Sequence, residues 1–352
     1  MNKKLTFSIL IPAHNEEKMI ASCVGSCLSQ TRPAEEIIII NDGSTDNTAQ
    51  ILKTFGDKIT VITLNQATGN KSKAQEIGIK SVKTDILIAT DGDTILDNKF
   101  IENIEKEFVI NNEVTVVMGY VQSMRHNILT ALREIDYTIG QDLYKRAQQY
   151  IDFILVIPGC AGAFKTELFR NGTRTFDHDT LTEDLDFSYK INHLGLPIRF
   201  NSDAIVYTQD PPTLYSYINQ MRRWYGGGWQ NLRKHFSIII KNPKASLILS
   251  TTYLEGLILS TMVIVIPFIN IMLFFKLLLI YVVVGIVLGI YTSIRKKRLE
   301  LLLVSPLFSL MSIINAYILI EQFIKEIIFR KDNMIWFHPE RISTQTNNSI
   351  KP

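Results

Sequence analysis

The chain has 352 residues, 46% of them hydrophobic, and a formal net charge of +3. So slight a positive excess gives no support to a nucleic-acid partner, and three cysteines (Cys23, Cys27 and Cys160) do not make a disulfide framework. Cys23 and Cys27 lie one helical turn apart with no third ligand nearby, and are expected as small buried apolar side chains.

The opening stretch "MNKKLTFSILIP" passes from a short basic start into a strand without a signal-peptide pattern, which places the head in the cytoplasm. Strands are expected at 5–12, 36–41, 58–64, 85–90 and 114–120, several of them near-continuous Ile/Val runs suited to burial on both faces. Helix-length stretches fall between them at about 16–30, 46–55, 71–83 and 97–110, with Asp46 and Asp97 as N-caps. Alternation of this kind predicts an α/β domain around a mostly parallel sheet with right-handed crossovers.

Ligands of such sheets sit beyond the carboxyl ends of the strands. Three of those ends carry polar clusters: "PAHNEE" (12–17), "NDGSTDNT" (41–48) and "DGD" (91–93). Any one of them is explained as a polar turn. Three on one predicted edge favour a shared ligand site. Asp91 and Asp93, split by Gly92 at a strand tip, form an oxygen-donor pair suited to Mg²⁺ or Mn²⁺, which prefer one or two carboxylates together with phosphate oxygens. The expected partner is a diphosphate.

Farther along, no Asp or Glu occurs from Pro211 to Leu254, where Arg222, Arg223, Arg233, Lys234, Lys241 and Lys244 supply only positive charge. Such a segment suits an anionic membrane face or an anionic ligand. Then come three apolar stretches, about 246–269, 271–294 and 299–322, each long enough to cross a bilayer. "RKKR" (295–298) belongs on the cytoplasmic side, whereas Lys325, Arg330 and Lys331 argue against placing the chain's end outside. A re-entrant or interfacial third segment would reconcile the two. The expected division is a head at 1–235, a membrane part at 236–324 and a polar tail at 325–352.

The motifs "ILIPAHNEE", "IIIINDGSTDNT", "ILIATDGD", "LTEDLDFSYKI" and "QMRRW" occur in the order seen in family 2 glycosyltransferases, which the chain resembles over roughly residues 5–230. That family comprises inverting enzymes of GT-A fold using nucleotide-diphosphate sugars. Its membrane-bound cellulose, chitin, hyaluronan and poly-N-acetylglucosamine synthases share the D, D-x-D, [TE]-E-D and Q-x-x-R-W set. The resemblance implies that Ala13, Asn15, Glu16, Asp42, Lys71, Asp91, Asp93 and Arg223 bind the nucleotide sugar, with Asp91 and Asp93 holding the metal. It makes Asp184 the general base, and puts Gly159, Cys160, Glu183, Gln220 and Trp224 on the acceptor side. From the residues alone, Glu183 and Asp186 read as charges in the first turn of a helix capped by Thr182, and Trp224, Trp229 and Trp336 as interface aromatics. Two positions depart from the family: Asn70-Lys71 stands for Gly-Lys, with Asn able to adopt the left-handed turn, and His14 stands for Tyr.

The function these features imply is a membrane-anchored, metal-dependent transferase extending a β-linked glycan from UDP-N-acetylglucosamine or UDP-glucose. The nearest alternative adds one sugar to a lipid-phosphate or lipid-linked acceptor; a non-catalytic binding scaffold ranks lower. Membrane lipids and a companion subunit or second copy are the further partners expected.

Overall fold

The Ile-rich runs are strands whose alternate side chains enter two different cores. In the computed structural model, which describes residues 4–170, 176–330 and 342, Phe7, Ile9, Ile11 and Ala13 of β1 (Phe7–Ala13) join one apolar cluster while Leu10 joins the other. β2 (Glu36–Asp42) divides in the same way, Ile37 and Ile39 to one side and Ile38 and Ile40 to the other. Full burial of an Ile side chain is worth about 1.5–3 kcal/mol, which favours these apolar runs. Ser8, the buried polar residue inside β1, is hydrogen-bonded to Glu36 and Thr84. Cys23 and Cys27 are buried in the first cluster, as expected of small apolar side chains.

The remaining strands are β3 (Thr60–Leu64), β4 (Ile86–Ala89), β5 (Thr94–Leu96), β6 (Val116–Ser123), β7 (Gly162–Lys165) and β8 (Ile198–Thr208). They form one eight-stranded sheet in the order β3-β2-β1-β4-β7-β6-β8-β5. The β3-β2-β1-β4 half is parallel, and so is β6 with β8; β7 is antiparallel to β4 and β6, and β5 to β8. The register sets Ala13 beside Asn41 and Leu10 beside Ala89, so the loops after β1, β2 and β4 emerge together on one edge.

The head's helices are α1 (Ile20–Leu28), α2 (Thr48–Lys53), α3 (Lys71–Ile79), α4 (Phe100–Ile110), α5 (Ile128–Ile139), α6 (Arg146–Tyr150), α7 (Glu167–Arg170), α8 (Glu183–His193) and α9 (Leu214–Ile239). Two expected caps fall short of the N-cap position. Asp46 lies one residue early, its Oδ1 accepting from the Thr48 N–H, and the N-cap of α4 is Lys99, whose own N–H donates to Asp97 Oδ1. Thr182 is the N-cap of α8 but makes no capping bond, because its hydroxyl accepts from Asn231 Nδ2 at 3.0 Å.

After α9 come α10 (Pro243–Leu249), α11 (Glu255–Ile269), α12 (Ile271–Lys296), α13 (Glu300–Val304) and α14 (Phe308–Phe323). They build three helical stretches long and apolar enough to cross a membrane, Pro243–Ile269, Ile271–Lys296 and Glu300–Ile328. The first packs on the head through Ala245, Ile248 and Leu249, which share a buried cluster with Phe153, Leu185 and Tyr189, and the third packs on it as well. Leu132 and Ile135 of α5, Tyr217 and Met221 of α9, and Met311 and Ile318 of α14 share one buried cluster. Of the expected tail, 331–341 and 343–352, Trp336 among them, lie outside the described residues.

Candidate active site

The loops after β1 and β2 are stitched to each other. Asn15 takes the left-handed conformation (φ 55°), and its Oδ1 accepts from the Thr45 N–H at 2.8 Å. The Glu16 N–H donates to Thr48 Oγ1, and His14 Nδ1 lies 2.6 Å from the Asp42 carbonyl oxygen. His14, standing for the family's Tyr, thus ties the first loop to the tip of β2. Asp42 turns its carboxylate onto Thr68, accepting from the Thr68 N–H and hydroxyl at 2.7 Å each.

Asn70 does not adopt the left-handed turn expected of it. Gly69 does (φ 68°), while Asn70 is extended and caps α3 by accepting from the Ser72 N–H at 2.8 Å. This cap launches α3 with Lys71 as its first residue. Lys71 reaches across to an ion pair with Asp91, and its Nζ lies 3.7 Å from Glu183 Oε1. Burial alone would lower its pKa, but the charges of Asp91 and Glu183 outweigh that and hold the ammonium well above its ordinary value.

Asp93 is buried, Asp91 half-buried, and Gly92 between them lies under Glu16, whose Cγ would stand 3.1 Å from any added Cβ. The Gly159 N–H donates to Asp184 Oδ2 at 3.4 Å, and a Cβ at Gly159 would come 2.9 Å from Lys71 Nζ. Cys160 follows; burial first, then the charge of Asp91, pushes its thiol pKa up. Asp184 Oδ1 accepts from the Leu185 N–H at 2.8 Å in the first turn of α8, where backbone donors favour a carboxylate. Glu183 is buried and its pKa is raised, chiefly by burial, against the opposing charges of Lys71 and Arg223. The charge of Arg223, on α9, thus bears on Glu183.

On α9, Gln220 is buried with its Oε1 lacking a hydrogen-bond partner among the described residues. Trp224 is half-buried, with the Arg133 guanidinium 5.1 Å from its ring centroid. Thus Lys71, Asp91, Glu183, Gly159 and Asp184 meet, whereas Ala13, Asn15 and Asp42 line the neighbouring loop edge.

Residues 8–171 match the family described as Glycosyl transferase family 2. Poly-beta-1,6-N-acetyl-D-glucosamine synthase of Staphylococcus epidermidis is 30% identical over 245 residues, 68% of this chain and 58% of its own length. The synthase of the same name from Staphylococcus aureus strain COL is 28% identical over 239 residues, 67% of this chain and 58% of its own. The chain carries a family 2 glycosyltransferase domain. It spans little more than half the length of these curated relatives. A mannosyltransferase from Pyrobaculum calidifontis, solved with GDP-Man and Mn²⁺, shares the fold at a TM-score of 0.58 and 15% identity, covering 88% of each chain.

Several residues of this candidate site were not picked out in the sequence. Thr68 holds Asp42, and Arg133 underlies Trp224. Lys145 donates to the Val156 carbonyl, and burial pushes its pKa down to about 7 against the opposing pull of Asp184. An Arg inside the apolar run "ILTALREIDYTI" was the one available signal, since a buried arginine needs partners. Two other readings change. Trp229 is buried against Tyr253 and Phe323 instead of standing at an interface. "YGGGW" is not a bend: α9 runs through it, and a side chain at Gly227 would collide with Thr182.

Asp177, Asp179 and Asp186 bring carboxylates within 4.8 Å of one another, the spacing of a metal cluster. Lys234 reaches all three, at 2.7–2.8 Å, and Asp186 also holds Lys190 and His235. The two lysines and His235 occupy the oxygens, so the group is a polar and ionic network tying α8 to α9.

Proposed function

We propose that the protein is a membrane-anchored, inverting glycosyltransferase that extends a β-linked glycan from a UDP-sugar, N-acetylglucosamine or glucose. The observation that carries this reading is the meeting of Asp91, Gly159 and Asp184 around Lys71. Donor-side acids and the candidate base thereby share one cleft, as a single displacement requires. The similarity to poly-beta-1,6-N-acetyl-D-glucosamine synthases favours the glycan-extending form over transfer of one sugar.

In this mechanism Asp184 accepts the proton of the acceptor hydroxyl while that oxygen bonds to the anomeric carbon and the bond to the leaving diphosphate breaks. Gly159 and the α8 N-terminus keep Asp184 oriented. Arg223 stabilises charge on the diphosphate, its guanidinium fork suiting two phosphate oxygens. Gln220 and Trp224 face the acceptor, and the unpartnered Gln220 Oε1 is available to a sugar hydroxyl. Asp91 and Asp93 present hard carboxylate oxygens that fit Mg²⁺ or Mn²⁺, which would neutralise the leaving diphosphate. Lys71, already on Asp91, limits the negative charge the pair presents without an ion.

The membrane arrangement that the contacts favour has two crossing helices, Pro243–Ile269 and Ile271–Lys296, and a third apolar segment held along the head. At its start Glu300 pairs with Arg125 at 2.9 Å, just after Arg298 meets Glu134. Farther on, Asn315 accepts from the Tyr217 hydroxyl, Glu321 pairs with Arg222, and Glu326 accepts from Gln230. A straight crossing would carry one end about 30 Å from the head.

The test is transfer from radiolabelled UDP-N-acetylglucosamine and UDP-glucose by the full chain in membranes, with and without Mn²⁺, and sizing of the product. Metal-dependent polymer is expected. A single-sugar lipid product would select the alternative transferase, and no turnover of either donor would overturn the reading.

A further inference from the structure

A cavity of about 320 Å³ opens where α12 ends against the outer part of the sheet, away from the acids of the active site. One wall is the run Arg295, Lys296, Lys297 and Arg298; the other comes from β6 and β8 and includes Gln122 and Tyr207. Consecutive residues on a helix point about 100° apart, so four adjacent cations do not line one cavity unless the helix ends there. Here it does. Lys297 is left-handed (φ 55°), and the N–H groups of Lys297 and Arg298 close the helix on the Ile294 and Ser293 carbonyls.

The cations divide into two kinds. Arg295 Nε bonds Asp142 Oδ2 at 3.0 Å, and Arg298 lies 3.3 Å from both Glu134 oxygens. These two anchor the turn to α5 and the segment after it. Lys296 and Lys297 have no carboxylate within ion-pair distance among the described residues. Lys296 is instead positioned by neutral groups: it donates to Gln122 Oε1 at 3.1 Å and lies 4.5 Å from the Tyr120 ring centroid. Cations after an apolar helix complement its dipole and the cytoplasmic membrane face, which explains their presence but not their enclosure by two strands. The cavity holds an excess of two positive charges with hydroxyl and amide groups around them. That is the chemistry of a phosphate ester site.

We propose that this cavity binds the phosphate headgroup of an anionic phospholipid. The lipid source follows from position: Val287, Ile290 and Ile294 of α12 are exposed apolar residues in the two turns leading to the cavity, so acyl chains can lie on them while the phosphate reaches Lys296 and Lys297. A soluble phosphate would use the cations and leave that apolar approach uncovered.

The test uses the purified full chain in detergent, titrated with dihexanoyl phosphatidylglycerol or dihexanoyl phosphatidylcholine and followed by thermal unfolding. The wild type should respond to the anionic lipid at a concentration at least about fivefold lower than to the zwitterionic one. The double variant Lys296→Gln/Lys297→Gln, which leaves both arginine anchors in place, should lose that difference. Gln122→Leu, on the opposite wall, should weaken it as well and carries the test if the double variant does not fold. An equal preference for phosphatidylglycerol in wild type and variants would overturn the site. Inorganic phosphate reproducing the full effect in phosphatidylcholine would overturn the lipid assignment.

Discussion

Lys71 at the start of α3 and Asp91 just beyond β4 form an ion pair, so one of the two strand-tip carboxylates is neutralised by the protein itself. Asp93, buried beside it, accepts a hydrogen bond from the Thr94 hydroxyl at 3.3 Å and is the acid whose charge we assign chiefly to the metal. Asp93→Ala is expected to weaken Mn²⁺-linked UDP binding by roughly tenfold or more, about 1.4 kcal/mol. Calorimetric titration of UDP with and without Mn²⁺ checks this, with thermal unfolding reporting on the fold. Unchanged metal-linked affinity would remove Asp93 from the donor site.

Asp184 receives the Gly159 and Leu185 N–H groups, and an asparagine oxygen can keep one of these bonds. Asp184→Asn should therefore bind donor normally while transfer falls by about 10²–10⁴, the loss typical of a positioned general base. Donor affinity and single-turnover transfer measured on the same preparation separate the two effects. Near-normal transfer would shift the base to another carboxylate, Glu183 being the nearest in the chain.

Asp186 governs a different property. Burial alone would raise its pKa, but hydrogen bonds from His235 and Lys234 and the charge of Lys190 hold it well below the usual carboxylate range. A carboxyl depressed in the folded state contributes stability above its unfolded pKa of about 3.9, and that contribution is lost as pH falls through the folded value. Asp186→Asn should cost roughly 1–3 kcal/mol at neutral pH, both lysines keeping some contact with water, and should flatten the acid limb below about pH 4. Urea unfolding from pH 7 to 2 measures both. Parallel curves for variant and wild type would show that the network does not couple to folding.

The sheet and its tips were legible because strand burial and turn chemistry are local. "IIIIND" loses its apolar character where β2 ends, and "DGD" begins two residues after the last residue of β4. What stayed hidden depends on partners distant in the chain. Gly227 reads as flexible until Thr182 is found against it, and Trp224 reads as an interface aromatic until Arg133, 91 positions earlier, lies at its ring. Asp46 and Asp97 stood close enough to helix starts to suggest caps, but the helices began one or two residues later. Hydropathy likewise measures the length of an apolar segment and not what holds its ends.

That last point gives the membrane prediction. The third apolar segment, Glu300–Ile328, is about 43 Å long at 1.5 Å per residue, ample for a crossing. Yet head residues hold it near both ends: Arg125 on Glu300, and Arg222 and Gln230 on Glu321 and Glu326. Taking one end across the bilayer would break these pairs and strand Glu321 or Glu300 in or beyond the apolar core, a cost of several kcal/mol by insertion scales. Single cysteines at Ser237, Lys297 and Arg330, all exposed, in a chain with Cys23, Cys27 and Cys160 changed to Ala, report the sides directly. All three should react with a membrane-impermeant maleimide in inverted vesicles and none in intact cells. Labelling of Arg330→Cys alone from outside would establish a third crossing. Labelling of Ser237→Cys from outside would put the head itself beyond the membrane, where cytoplasmic nucleotide sugars could not reach Asp91 and Asp93.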